Sequence, residues 1–97
     1  MRLVLHPKVY SDVDAIMEYY ERVASRELAD DFYAELRHFM LEAVERPESF
    51  AIRERNLRRV NLHRFPYHFL FCIVGDAVRI LVVRHHQRHP SLGVHRQ

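Results

Sequence analysis

Apolar positions recur at steps of three and four through the first half of the chain and at steps of two through much of the second. Val9, Val13, Ile16, Tyr20 and Val23 line one face of a helix over about residues 8–24, and Asp12, Asp14, Glu18 and Glu21 fall largely off that face. Ser25 offers an N-cap to a second helix over about residues 26–46, with Glu27, Asp30 and Asp31 near the positive end of its dipole. Ala29, Phe32, Tyr33, Leu36, Phe39, Met40, Ala43 and Val44 form its apolar stripe, and Pro47 ends it. The short break at Ala24–Ser25 folds the two helices into an antiparallel hairpin. Before them, Arg2–His6 has strand character and is cut off by Pro7, whose missing N–H costs nothing in a helix's first turn.

Residues 47–56 (PESFAIRERN) show no period and read as a connecting loop. Three strands follow, at 57–62, 67–74 and 77–84. Phe65-Pro66 separates the first pair, and Gly75-Asp76 makes a two-residue hairpin loop between the second. The expected order is β-α-α-β-β-β, an α+β fold in which a two-helix hairpin covers one face of a mostly antiparallel four-stranded sheet. A two-residue loop pairs Val74 with Ala77, Cys72 with Arg79, Leu70 with Leu81 and His68 with Val83. One face then carries Tyr67, Phe69, Phe71 and Ile73 against Val78, Ile80 and Val82, and packs on the helices. The other carries His68, Leu70, Cys72, Val74, Arg79, Leu81, Val83 and His85. Arg59 and Asn61 share one face of the preceding strand; Arg58, Val60 and Leu62 share the other. Phe32, Leu36, Phe39, Met40, Phe69, Phe71, Ile80 and Val82 are the expected core.

Charge divides the chain. Nine of its 14 arginines and six of its eight histidines follow residue 50, against two acids there, Glu54 and Asp76. With histidine neutral, residues 51–97 carry +7 and residues 1–50 carry −5, which leaves the modest net +2. A cationic surface beside an acidic scaffold suits a polyanionic partner, nucleic acid or an acidic protein. The 97 residues fit one domain with one core. A single cysteine, Cys72, excludes an intrachain disulfide and a thiolate-rich metal site, and its apolar neighbours mark it as a buried thiol rather than a nucleophile. With no bilayer-length apolar run and no secretory signal, the expected location is cytoplasmic.

Several short motifs occur in a specific order. They are Asp12-Val13-Asp14-Ala15-Ile16-Met17-Glu18-Tyr19-Tyr20, Ala29–Phe32, Pro47, Leu57-Arg58-Arg59, Phe65-Pro66-Tyr67, Gly75-Asp76, and His85-x-x-Arg88-x-Pro90. In that order the chain resembles, over nearly its whole length, the RelE/ParE-family toxins of bacterial type II toxin–antitoxin systems. The resemblance implies a cognate antitoxin as partner, no cofactor, and one of two activities. RelE-like members cut messenger RNA on the ribosome; ParE-like members poison DNA gyrase. Cleavage needs a general base for a ribose 2′-OH, cations for the phosphorane charge and an acid for the leaving oxygen. The cleaving branch places basic residues before the hairpin, an arginine after the hairpin's opening tyrosine, a basic pair at the last strand's end and a tyrosine beyond. The corresponding positions here are Arg59 and Asn61, then His68, then His86 and Arg88, while Ser91, Leu92 and Gly93 occupy the tyrosine's stretch. The resemblance is therefore closer to the gyrase-targeting branch, with the messenger RNA endoribonuclease as the alternative. A toxin that has lost activity and a small basic nucleic-acid-binding domain remain as further readings.

The candidate catalytic or target-binding residues are Arg59, His68, His85, His86 and Arg88, supported by Arg58, Arg79 and Arg84, and they are expected to share a basic region on or beside the sheet face away from the helices. Each has a plainer reading beside it. His68 also reads as a sheet-face histidine with a hydrogen-bond partner, His85 as a residue that fixes the tail, and Arg58 and Arg59 as partners of Glu35 or Glu42. His85, His86 and His89 invite a metal reading, but neighbours on a strand point oppositely and do not converge.

Overall fold

In the computed structural model, which describes residues 1–97, Arg2–Leu5 (β1) leads into Pro7–Val23 (α1) and Arg26–Glu45 (α2). Local chemistry sets these boundaries. The His6 imidazole accepts the Lys8 N–H at 3.0 Å at the start of α1, and the Ser25 hydroxyl accepts the Leu28 N–H at 3.1 Å at the start of α2. A single 3-10 turn, Pro47–Ser49, follows. Ile52–Glu54 (β2), Leu57–Asn61 (β3), Tyr67–Val74 (β4) and Ala77–His85 (β5) complete the fold.

The sheet has five strands in the order β1-β5-β4-β3-β2, with β1 parallel to β5 and every other pair antiparallel. The added strand is β2, inside the stretch read as a loop. It is three residues long and joins β3 through Arg55 and Asn56, both at positive φ (48° and 63°). That left-handed pair makes a tight hairpin turn, and arginine is an unusual residue there, so the turn carries no plain signature.

The helices pack on one sheet face. Val9, Ile16, Phe32, Leu36, Met40, Val60, Phe69, Phe71, Val78 and Ile80 form the buried core there, with Tyr20, Phe32, Phe65 and Tyr67 meeting edge to face at 5.4–6.2 Å. Phe39 is only partly buried, lying at the core's margin against the His63 ring.

The hairpin register follows the expected parity only from the turn to Phe71↔Ile80; Leu70 then pairs with Val82 and His68 with Arg84. One extra residue, Leu81, is bulged into β5, and a bulge exchanges the faces of everything beyond it. Val82 therefore joins Leu57, Leu70 and Leu81 in a second apolar cluster on the side away from the helices, while Val83 joins the helix-side core. Both sheet faces are covered. The segment after β5 lies over the second cluster: Val94 packs against it, and a Cβ on Gly93 would collide with the Val82 side chain. Gly93 also holds φ +84°, so it meets both the steric and the conformational demand of that approach.

Candidate functional site

On the side away from the helices, one hydrogen-bonded chain joins β2, β3, β4 and the end of β5. Arg84, buried by the bulge shift, is its centre. Its Nη2 donates to the Glu54 carboxylate at 3.1 Å, its Nη1 to the Pro90 and Leu92 carbonyls at 2.7 Å each, and its Nε to His68 Nε2 at 2.9 Å. Arg84 is thus the post on which the covering segment hangs. Charge-assisted bonds of this kind offset the desolvation of a buried guanidinium.

Arg84 also decides the protonation of what lies beyond it. Because Arg84 donates to His68 Nε2, that nitrogen is an acceptor and the His68 proton sits on Nδ1. His68 Nδ1 lies 2.9 Å from His86 Nδ1, which also faces Arg59 Nη2 at 3.3 Å, so His86 Nδ1 accepts and its proton sits on Nε2. Arg59 Nε in turn donates to Asn61 Oδ1 at 2.8 Å. Both histidines are neutral. Burial, followed by the charges of Arg59 and Arg84, pushes His68 down to about 3, and burial with Arg59 lowers His86 as well. Arg59 is itself lowered, by burial and then by repulsion from Arg84 and Arg53.

The structure brings together Arg59, His68, His86 and Arg84 from the expected set, but separates the others. His85 falls on the helix side, where its ring meets Tyr67 edge to face at 5.1 Å and its Nδ1 accepts the Gln87 N–H. The reason is the bulge, which reverses the face of every residue after Leu81. Arg88 is exposed and lines a cleft with His85 and α1. Arg79 lies opposite Cys72 near the far end of the hairpin, and burial raises that thiol. Arg58 donates to the Phe50 carbonyl at 2.7 Å instead of meeting a helix acid. Glu35 instead accepts the His63 and Arg64 N–H groups at 2.7 and 3.0 Å, tying α2 to the loop before β4. The outer face is thus no open basic platform: His68 and Arg84 are 1% and 5% exposed, and only Arg59 and His86 reach solvent from their cluster.

Glu54, Asp12 and Arg96 were not among the candidates. Glu54 had one available signal, being one of two acids in an arginine-rich half. Asp12 opens the first of the quoted motifs, but nothing local signals its pairing with Arg96, because their meeting depends on the fold. His85, His86 and His89 do not converge, and no three histidine, cysteine, aspartate or glutamate side chains gather as a metal site would require.

The ParE toxin of type II toxin–antitoxin systems, parDE, gives the family model that matches this sequence, over residues 3–90. The chain belongs to the ParE toxin family. Comparison with curated proteins gives no match. Among solved structures, the chromosomal ParDE TA system from P. aeruginosa is similar with a TM-score of 0.79 and 23% identity, covering 88% of this chain and 95% of that one. At that identity the likeness bears on the fold, the two helices packed on a mixed five-stranded sheet. No helix of this ParE-family chain is long and apolar enough to cross a membrane.

Proposed function

We propose that this ParE-family chain is a growth-inhibiting toxin that acts by binding DNA gyrase and not by cutting RNA, and that an antitoxin holds it inactive in the cytoplasm. The observation that carries this reading is the state of His68. It stands where the cleaving branch keeps an arginine, yet it is sealed from solvent, bonded through both ring nitrogens and held neutral. A neutral buried imidazole cannot steady a phosphorane, and neither of its nitrogens is free for proton transfer. His86 offers a donor on Nε2 and an Nδ1 already used by two neighbours, so it supplies no base in this arrangement. Ser91, Leu92 and Gly93 occupy the stretch where the cleaving branch places its tyrosine.

His86 and Arg88 are exposed and Arg59 is half-buried beside His86, and these three are our candidates for target contact. For the antitoxin, the apolar groove between β1 and the helix hairpin, about 330 Å³ and lined by Leu3, Tyr10, Met17, Tyr33 and Leu41 among others, suits the apolar side of an amphipathic segment. Acidic residues of that segment would orient it against the arginines and mask them.

The test is expression with and without the neighbouring gene product, scoring growth, gyrase supercoiling and transcript integrity. We expect supercoiling to fail, transcripts to stay whole, and growth to recover with the antitoxin. Intact supercoiling with cleaved transcripts would establish the endoribonuclease reading instead. The Arg59→Ala/Arg88→Ala double variant should lose toxicity while remaining folded. Antitoxin binding should weaken steeply with added salt.

A further inference from the structure

β1 stops at Leu5 because Pro7 turns the chain into α1, whereas β5 runs on to His85. Beyond Ile80, therefore, no strand lies beside β5 on that edge. Two of the edge's backbone groups are answered by side chains: the Asp12 carboxylate accepts the Val83 N–H at 3.1 Å, and Arg96 donates to the Leu81 carbonyl at 3.0 Å. The next two are not answered. Across the hairpin the His86 N–H bonds the Pro66 carbonyl, so by antiparallel alternation the Val83 carbonyl and the His85 N–H point out along the bare edge, and neither has a partner in the protein.

These groups lie at a cleft of about 420 Å³, to which α1 contributes Ser11, Ala15 and Tyr19 and the segment after β5 contributes Arg88 and Leu92. Arg88 is exposed and pairs with no carboxylate. One acceptor and one donor, spaced as a single strand residue presents them, match an amide backbone. A DNA backbone offers phosphate acceptors but no donor for the Val83 carbonyl, and the 2′-OH of RNA does not present a donor and an acceptor at the spacing of one strand residue. The free guanidinium adds a preference for a carboxylate.

We propose that this cleft docks an extended, acidic segment of a partner protein, which continues the line of β1 along β5. Its backbone donates to the Val83 carbonyl and accepts from the His85 N–H, and an Asp or Glu side chain one or two residues away pairs with Arg88. Unpaired strand edges recruit extended peptides in this way. The inference does not depend on gyrase being the target.

The test titrates the 15N-labelled protein with the capped pentapeptide acetyl-Thr-Val-Glu-Val-Thr-amide and with its Glu→Gln counterpart. The His85 amide resonance should move downfield saturably and its hydrogen exchange should slow. The Glu peptide should bind several-fold more tightly than the Gln peptide, and the Arg88→Gln variant should bind both equally. An unmoved His85 amide at millimolar peptide would overturn the proposal. So would equal binding of the two peptides by the unmodified protein, or perturbation of the same amides by oligothymidylate in place of peptide.

Discussion

Asp12 and Arg96, 84 positions apart, are joined by two N–H···O bonds of 2.6 and 3.1 Å, with both side chains 14% exposed. The pair closes the segment after β5 onto α1 and supplies the edge of β5 with the partners that β1 is too short to provide. A double-mutant cycle of Asp12→Asn and Arg96→Gln in urea should show a coupling of about 0.5–3 kcal/mol, as expected for two groups in one network. Strictly additive losses would mean that the clasp contributes nothing as a pair.

Arg84 satisfies four acceptors from a nearly buried position. Arg84→Met keeps the bulk but leaves Glu54 without its cation and the Pro90 and Leu92 carbonyls without their donor. We expect a loss of about 3–5 kcal/mol, the usual cost of removing one partner of a buried pair. An unchanged urea midpoint would show that the network is dispensable.

Acid should act through His68. Its folded value of about 3 lies below the ordinary 6.5, so between those values the unfolded chain takes up a proton that the folded chain refuses. The stability supplied by neutral His68 is therefore present above about pH 6.5 and is lost as pH falls towards 3. In His68→Gln the amide oxygen still accepts from Arg84 but does not titrate. The fall in urea midpoint between neutral and acid pH should be smaller for the variant, and an identical fall would refute the assignment.

Phe71 is fully buried beside Phe50 and Phe69. Phe71→Ala should cost about 3–5 kcal/mol by removing a large apolar group from a close-packed core. Thermal unfolding reads this directly, and an unshifted Tm would remove Phe71 from the core.

Gly93→Ala tests the covering segment. The added methyl meets Val82 and the positive φ disfavours any side chain, so we expect a loss of about 1–3 kcal/mol. The effect should be local: amide exchange should accelerate around Leu92–Arg96 and at the second apolar cluster before it changes in α2. Uniform acceleration across the sheet and helices would instead mean that the segment unfolds only with the whole domain.

The α+β class, both helices, the Ser25 cap and β3, β4 and β5 to within a residue or so were legible in the sequence, because each depends on neighbours within a turn or a strand. Periods of 3.6 and 2 are local quantities, and caps and hairpin loops act over two or three residues. β2 was not legible: three residues carry too little alternation, and they pair beside β3 through an uncommon Arg55-Asn56 turn. Nor was the bulge, since Val78–Val83 is apolar at all but Arg79, so shifting the alternation by one residue past Ile80 leaves the pattern equally hydrophobic. That single residue moved His85 away from His68 and placed Arg84 inside. Which arginine is a buried post and which is free at a cleft is decided by contacts between distant positions, Arg84 with Glu54 and Asp12 with Arg96, and only the folded chain brings those together.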